Sequence, residues 1–223
     1  MMIALKLKEI NKSYKMRHVL DGLDLEVNTG ESIAIQGRSG SGKTTLINII
    51  AGLMTTYNGE YYFENEKMVI MSDGRRAKFR REKIGIITQH FDLLEDRNVK
   101  ANIALGIAHL RIGRKEKKER IRKMLDYMGI SGYEKKRIGE LSGGEKQRVA
   151  IARALIKEPL IIIADEPTGA LDEETRDQIL DLFRKMIADG AQFIIVTHDD
   201  EVAKICNKVY YLRKGVLKVK EAL

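Results

Sequence analysis

The sequence predicts an α/β core interrupted by a helical insertion. Three observations carry this. Short apolar or alternating runs bounded by glycine open the chain and return near its end. The stretch from about Val99 to Lys157 has helical spacing instead. A helical segment, Glu173 to Ala188, separates the last two apolar runs. Strand, helix, strand implies a parallel pair joined by a right-handed crossover.

Ile3, Leu5 and Leu7 alternate with Ala4, Lys6 and Lys8, the period of a half-buried strand. Leu23, Leu25 and Val27 repeat the pattern before Asn28-Thr29-Gly30 turns the chain. Ser32 to Ile35 is a short, mostly apolar strand that runs into a glycine-rich loop. Thr44 to Ala51 reads as a helix, with Leu46, Ile49 and Ile50 on one side and Gly52 as its stop. Tyr57 to Phe63 and Ile84 to Ile87 return to strand character, the second as a buried strand. In the helical stretch Ile121, Met124, Leu125 and Met128 recur at helical spacing, so the methionines read as core. The charges from Arg111 to Lys123 read as a solvated face, with an acidic lipid surface as the alternative. Leu160 to Ala164 and Phe193 to Val196 are uninterrupted apolar runs, as strands covered on both faces should be.

Composition bounds the function classes. With 223 residues and 43% hydrophobic content the chain is globular, not disordered. The formal charge of +8 favours anionic partners without choosing among nucleotide, nucleic acid and membrane. One cysteine, Cys206, excludes an internal disulfide and reads as a buried inert thiol. The first residues lack the basic-then-apolar pattern of a signal peptide. No apolar run approaches the roughly 20 residues that span a bilayer. Any membrane role is therefore expected to come through a partner.

Three motifs carry chemistry. Gly37-Arg38-Ser39-Gly40-Ser41-Gly42-Lys43-Thr44 matches the phosphate-binding loop G-x-x-x-x-G-K-[ST], after a strand and before a helix. Backbone N–H groups from Gly40 through Thr45 are expected to wrap a β-phosphate at the positive end of that helix. Lys43 is expected to reach the β- and γ-phosphates, and the Thr44 hydroxyl to ligate Mg²⁺. Asp165-Glu166 closes an apolar strand, which delivers both carboxylates to the edge where open α/β sheets bind ligands. Asp165 would hold Mg²⁺ and Glu166 would act as general base on the attacking water. These two motifs define only a broad class of phosphate-loop NTPases. The third is Leu141-Ser142-Gly143-Gly144-Glu145, followed by Lys146 to Leu155. Ser142 and Glu145 form an S-x-x-E capping box at a helix start. A cap does not require two glycines. Bare backbone at a helix N-terminus is a surface that a γ-phosphate can approach.

Leu141 to Glu145 resembles the signature motif of the ABC (ATP-binding cassette) ATPases, and the resemblance covers essentially the whole chain. Tyr14 matches the aromatic position that stacks on adenine. Gln89 matches the loop glutamine that couples the Mg²⁺ site to the helical subdomain. Ala170-Leu171-Asp172 matches the D-loop, and His198 the switch histidine that senses γ-phosphate. The resemblance implies a P-loop NTPase (RecA-like) core with an N-terminal antiparallel β subdomain and an inserted α-helical subdomain. Residues 1–90 and 159–223 would form the core with its β subdomain, and 91–158 the helical signature subdomain. It also implies ATP and Mg²⁺ as cofactors. The nucleotide-binding set is then Tyr14, Gly37, Ser39, Gly40, Ser41, Gly42, Lys43, Thr44, Thr45, Gln89, Ser142, Gly143 and Gly144. The catalytic set is Lys43, Glu166 and His198, and the metal set is Thr44, Gln89 and Asp165. Two cassettes are expected to sandwich ATP head to tail, phosphate loop against signature, and to pull on a multi-span membrane permease docked near Gln89.

The run Ala164 to Asp172 and the stretch Gln89 to Leu94 are similar to the subgroup serving lipoprotein release, macrolide export and antimicrobial-peptide export or resistance. Ala170 stands where that subgroup typically has Asn, Thr88 where phenylalanine is common, and Ile138-Gly139 where many relatives have a proline. A rival class acts on DNA or ribosomes. Such proteins carry coiled-coil or zinc insertions or paired cassettes, none of which this sequence shows. No nucleic-acid partner is expected. A degenerate scaffold would lack one of Lys43, Asp165, Glu166 and His198, and all four are here.

Overall fold

In the computed structural model, which describes residues 3–220 apart from the side chain of Val69, the opening alternation folds as two long strands. β1 (Ile3–Tyr14) and β2 (Arg17–Asn28) pair antiparallel, and β4 (Asn58–Phe63) and β5 (Glu66–Lys67) extend the sheet in the order β2-β1-β4-β5. Strict alternation breaks where the register shifts. Leu5 and Leu7 are buried, then Ile10 after a shift that includes Glu9 at φ 50°. In β2, Leu20 precedes Leu23 across Gly22 at φ 58°. Each extra residue flips the inward face, as a bulge must.

The second sheet has six strands in the order β10-β9-β3-β8-β7-β6. β3 (Ile33–Gln36), β6 (Ile84–Ile87), β7 (Ile161–Asp165), β8 (Phe193–Val196) and β9 (Lys208–Arg213) run parallel, and β10 (Val216–Val219) closes one edge antiparallel. Apolar cores lie on both faces. Ile161, Ile163, Ile194 and Val196 face the antiparallel sheet and helix α1 (Lys43–Ile50). Ile162, Ala164, Phe193 and Ile195 face the helices α3 (Val99–Leu105), α4 (Arg114–Tyr127), α5 (Gly143–Leu155) and α6 (Glu173–Ala188). A strand with a core on each side needs no polar alternation, which is why β7 and β8 read as continuous apolar runs.

Two strand readings are corrected. β6 is the other edge strand, so Ile86 is exposed, not buried. Leu160 precedes β7 and is also exposed, because its N–H pairs with the Lys83 carbonyl at the sheet rim. Several elements had no legible pattern. Helix α2 (Asp73–Lys83) buries only Phe79, whose ring meets Phe63 edge-on at 4.8 Å, and it is capped by Ser72. The short α7 (Asp200–Ala203) and strands β9 and β10 were likewise unread. Met128 is fully buried and Met124 packs beside it in the helical core. The α4 charges pair along the exposed face, Arg120 with Glu116 and Arg122 with Glu119 and Asp126. Cys206 packs against the helical core, and burial pushes its thiol up to about 12.

Candidate functional site

The parallel strands β3, β8 and β7 are neighbours, so their C-terminal ends deliver three chemical segments to one edge. β3 leads into the glycine loop, β7 ends in Asp165-Glu166, and β8 leads to His198. Gly40 (φ 74°) and Gly42 (φ 107°) take left-handed conformations that favour glycine. A Cβ on Gly37 would lie 2.6 Å from the Leu212 carbonyl oxygen and 2.7 Å from Ser41 Oγ. Helix α1 starts at Gly42 with no side-chain cap, leaving its first N–H groups open to an anion. Lys43 Nζ spans the loop, donating to the carbonyls of Gly37 (2.7 Å) and Arg38 (3.2 Å). Arg17 braces it from β2 by donating to the Gly40 carbonyl at 3.2 Å. Ser41 Oγ is buried with no hydrogen-bond partner among the described residues. An orphaned hydroxyl costs free energy, and a phosphate oxygen is the partner this loop could supply. A cleft of about 500 Å³ opens beside the loop, with Arg17, Arg38, Ser39, Tyr211 and Arg213 in its lining. Its cationic walls suit a polyphosphate.

Glu166 and His198 meet directly. His198 Nδ1 lies 2.9 Å from Glu166 Oε1, and its backbone N–H donates to Glu166 Oε2 at 3.4 Å. Glu166 sits at φ 45°, held by a hydrogen bond from its N–H to the Val196 carbonyl at 2.8 Å. Burial raises the Asp165 carboxyl, repulsion from Glu166 adds to it, and the Lys43 charge pulls it back. An acid raised in the fold stabilises it below its unfolded value of 3.8, and that stability is lost as pH rises through the folded value. At pH 7 the ionised carboxylate is therefore a cost. Asp165→Asn is expected to raise the Tm of the nucleotide-free protein at pH 7. The difference should shrink as pH falls towards the carboxylate range, which scanning fluorimetry across pH checks.

Among the described residues, no group of three or more His, Cys, Asp or Glu is placed to hold a metal. The donors at this edge, the exposed Thr44 hydroxyl and Asp165, suit a magnesium ion that takes its other ligands from phosphate and water. Thr45 is buried beneath the loop. Gln89 lies against Gly169, where a Cβ would come within 3.0 Å of its Nε2; Gly169 in turn donates to the Glu166 carbonyl at 3.1 Å. Thr88 closes this loop through Asp92 Oδ2 at 2.8 Å, and Ile138 is buried under the short turn before the signature. Tyr14 is half-exposed, with its hydroxyl 3.5 Å from Met54 Sδ and Lys12 over its ring. Its bonds do not reach the phosphate loop.

The capping box at α5 forms: Ser142 Oγ accepts from Glu145 N, and Glu145 Oε2 from Ser142 N at 2.7 Å. Ser142 and Gly143 are exposed. A Cβ on Gly144 would overlap Thr175, and one on Gly143 would lie 3.4 Å from Leu171. These neighbours belong to the D-loop segment and the start of α6, not to the phosphate loop. Two residues escaped the sequence reading. Arg153 on α5 donates to the carbonyls of Asp92 (2.6 Å) and Phe91 (2.9 Å), clamping the segment after Gln89. Gln147, fully buried, donates to the Pro167 carbonyl. No motif announces either; only a polar residue on an otherwise apolar helix face hints at them.

The family model described as "ABC transporter" matches residues 20–169. The chain is 40% identical over 215 residues to the uncharacterized ABC transporter ATP-binding protein YknY of Bacillus subtilis, covering 95% of this chain and 94% of that one. It is 37% identical to the bacitracin export ATP-binding protein BceA of Halalkalibacterium halodurans, covering 96% and 87%. The dimeric structure of MJ0796, an ABC transporter cassette of Methanocaldococcus jannaschii, superposes with a TM-score of 0.87 at 35% identity, covering 98% of this chain and 100% of that one. The same cassette has been solved as a dimer in a post-hydrolysis state bound to ADP and Pi.

Proposed function

The chain belongs to the ABC transporter family, and from that premise we propose that it is the ATP-hydrolysing cassette of an exporter, dimerising around two ATP to drive a membrane permease. The observation that carries this is a site split in two. The phosphate loop, Asp165, Glu166 and His198 share one sheet edge, whereas the Ser142–Gly143 backbone is exposed and lies beside Leu171 of its own chain. A two-fold dimer pairs each loop with the other copy's signature.

Within each site the loop N–H groups from Gly40 through Thr45 hold the β-phosphate. Lys43 exchanges the Gly37 and Arg38 carbonyls for β- and γ-phosphate oxygens, and Ser41 Oγ gains the partner it lacks. Tyr14 offers adenine the ring face that Lys12 does not cover. Thr44, Asp165 and Gln89 would hold Mg²⁺, which when bound neutralises charge on the phosphates. Glu166 takes a proton from the attacking water as its oxygen bonds to the γ-phosphorus and the bond to the bridging oxygen breaks, releasing ADP and phosphate. His198 fixes the carboxylate rotamer and reads the γ-phosphate. Cleavage removes contacts that exist only in the closed dimer, so the pair reopens.

In this reading residues 1–90 and 159–223 are the ATP-binding core with its β subdomain, and 91–158 is the helical signature subdomain. The cargo class is a peptide, lipoprotein or drug, in keeping with the bacitracin-exporter relative. No helix among the described residues is long and apolar enough to cross a membrane. We place the chain at the cytoplasmic face, held by its permease. A tagged chain purified from detergent-solubilised membranes is expected to bring down a multi-span membrane protein. Recovery on ribosomes or DNA instead would overturn the assignment.

A further inference from the structure

We infer that Gln147 is a positioning residue that ties the signature end of α5 to the turn holding Glu166, so that the placement of the signature sets the placement of the base. The inference rests on Glu166 being the base, as proposed above.

Gln147 lies one helical turn beyond Gly143 and is fully buried. Its Nε2 donates to the carbonyl of Pro167, the residue directly after Glu166. Its Oε1 has no hydrogen-bond partner among the described residues. A buried amide with one group unpaired costs free energy, and an apolar side chain of similar length would fill the same space without that cost. The bond it makes to Pro167 is what distinguishes glutamine here.

That bond lands on a strained segment. Glu166 holds φ 45°, a conformation that a non-glycine residue keeps only when its surroundings over-determine it. Three contacts do so. Glu166 N–H donates to Val196 in β8, Gly169 N–H donates back to the Glu166 carbonyl, and Gln147 holds Pro167. The first two come from the sheet and from the turn itself. Only the third comes from the signature helix. At the other end of that helical turn, Gly143 and Gly144 lie close to Leu171 and Thr175, where an added Cβ would come within 3.4 and 2.4 Å. A load on the exposed Ser142–Gly143 backbone is thus carried by one rigid turn of α5 and one side chain to the residue beside the base.

The test uses the full chain with Mg-ATP. Gln147→Met is expected to lower kcat about tenfold or more, with the nucleotide Kd within about twofold of wild type, because the base is misplaced and the phosphate loop is untouched. An unchanged kcat overturns the inference. So does a joint loss of kcat, Kd and Tm, which marks plain structural damage. If Gln147→Met does not fold, Gln147→Glu decides. Its neutral carboxyl can donate to the Pro167 carbonyl and its ionised form cannot. Turnover relative to wild type should then rise as pH is lowered, and a flat ratio overturns the inference. Glu166→Gln run in parallel separates the two claims. Normal turnover there removes the base reading. Loss there with full kcat in Gln147→Met removes only the role of Gln147.

Discussion

Glu166→Gln is expected to lower ATP turnover by about 10²- to 10⁴-fold, the range a positioned general base supplies, while ATP stays bound. The substitution keeps size and the hydrogen bond at Glu166 Oε1 that faces His198, but it removes the carboxylate that accepts the proton of water. Phosphate-loop contacts are untouched, since Lys43, Ser41 and the head of α1 lie on a different strand-to-helix connection. ATP then accumulates between two chains, and the closed pair persists because nothing removes the γ-phosphate contacts. Size-exclusion chromatography with Mg-ATP should show a dimer, and phosphate release should be close to background. Robust phosphate release would remove Glu166 from the base role. A strictly monomeric Mg-ATP complex would remove the shared site.

Lys43→Ala is expected to weaken nucleotide binding by about 10²-fold or more. Charge-assisted hydrogen bonds contribute about 1.5–3 kcal/mol each, and 1.4 kcal/mol is tenfold in Kd. Among the described residues the ammonium donates to the carbonyls of Gly37 and Arg38, both in the loop, so its removal leaves the core packing intact. The Asp165 carboxyl should rise further, because the Lys43 charge is what pulls it back. Titration with a fluorescent ATP analogue measures the first effect. A wild-type Kd would show that the backbone loop alone holds the phosphates.

Much of this site is local and was therefore legible in the chain. The loop Gly37 to Thr44, the Asp165-Glu166 strand end and the Ser142/Glu145 capping box depend on residues a few positions apart, and each forms as its spacing predicts. Helix α2 shows the converse. It buries one apolar residue, Phe79, so no periodic stripe marks it, and that ring packs against Phe63 of β4 in the antiparallel sheet. The exposure of Ile86 was also unreadable, because whether an apolar strand is central or at an edge depends on which strands flank it.

The phosphate chemistry and the order of the elements are written in short stretches of chain, since backbone conformation and capping respond to near neighbours. Which distant groups meet depends instead on how the strands and helices are stacked. His198 reaches Glu166 across 32 positions because β8 lies directly beside β7. Gln147 reaches Pro167 across 20 because α5 and β7 share one hydrophobic core. Such contacts are set by strand order and by burial on a shared face, and neither is a property of any short stretch of chain.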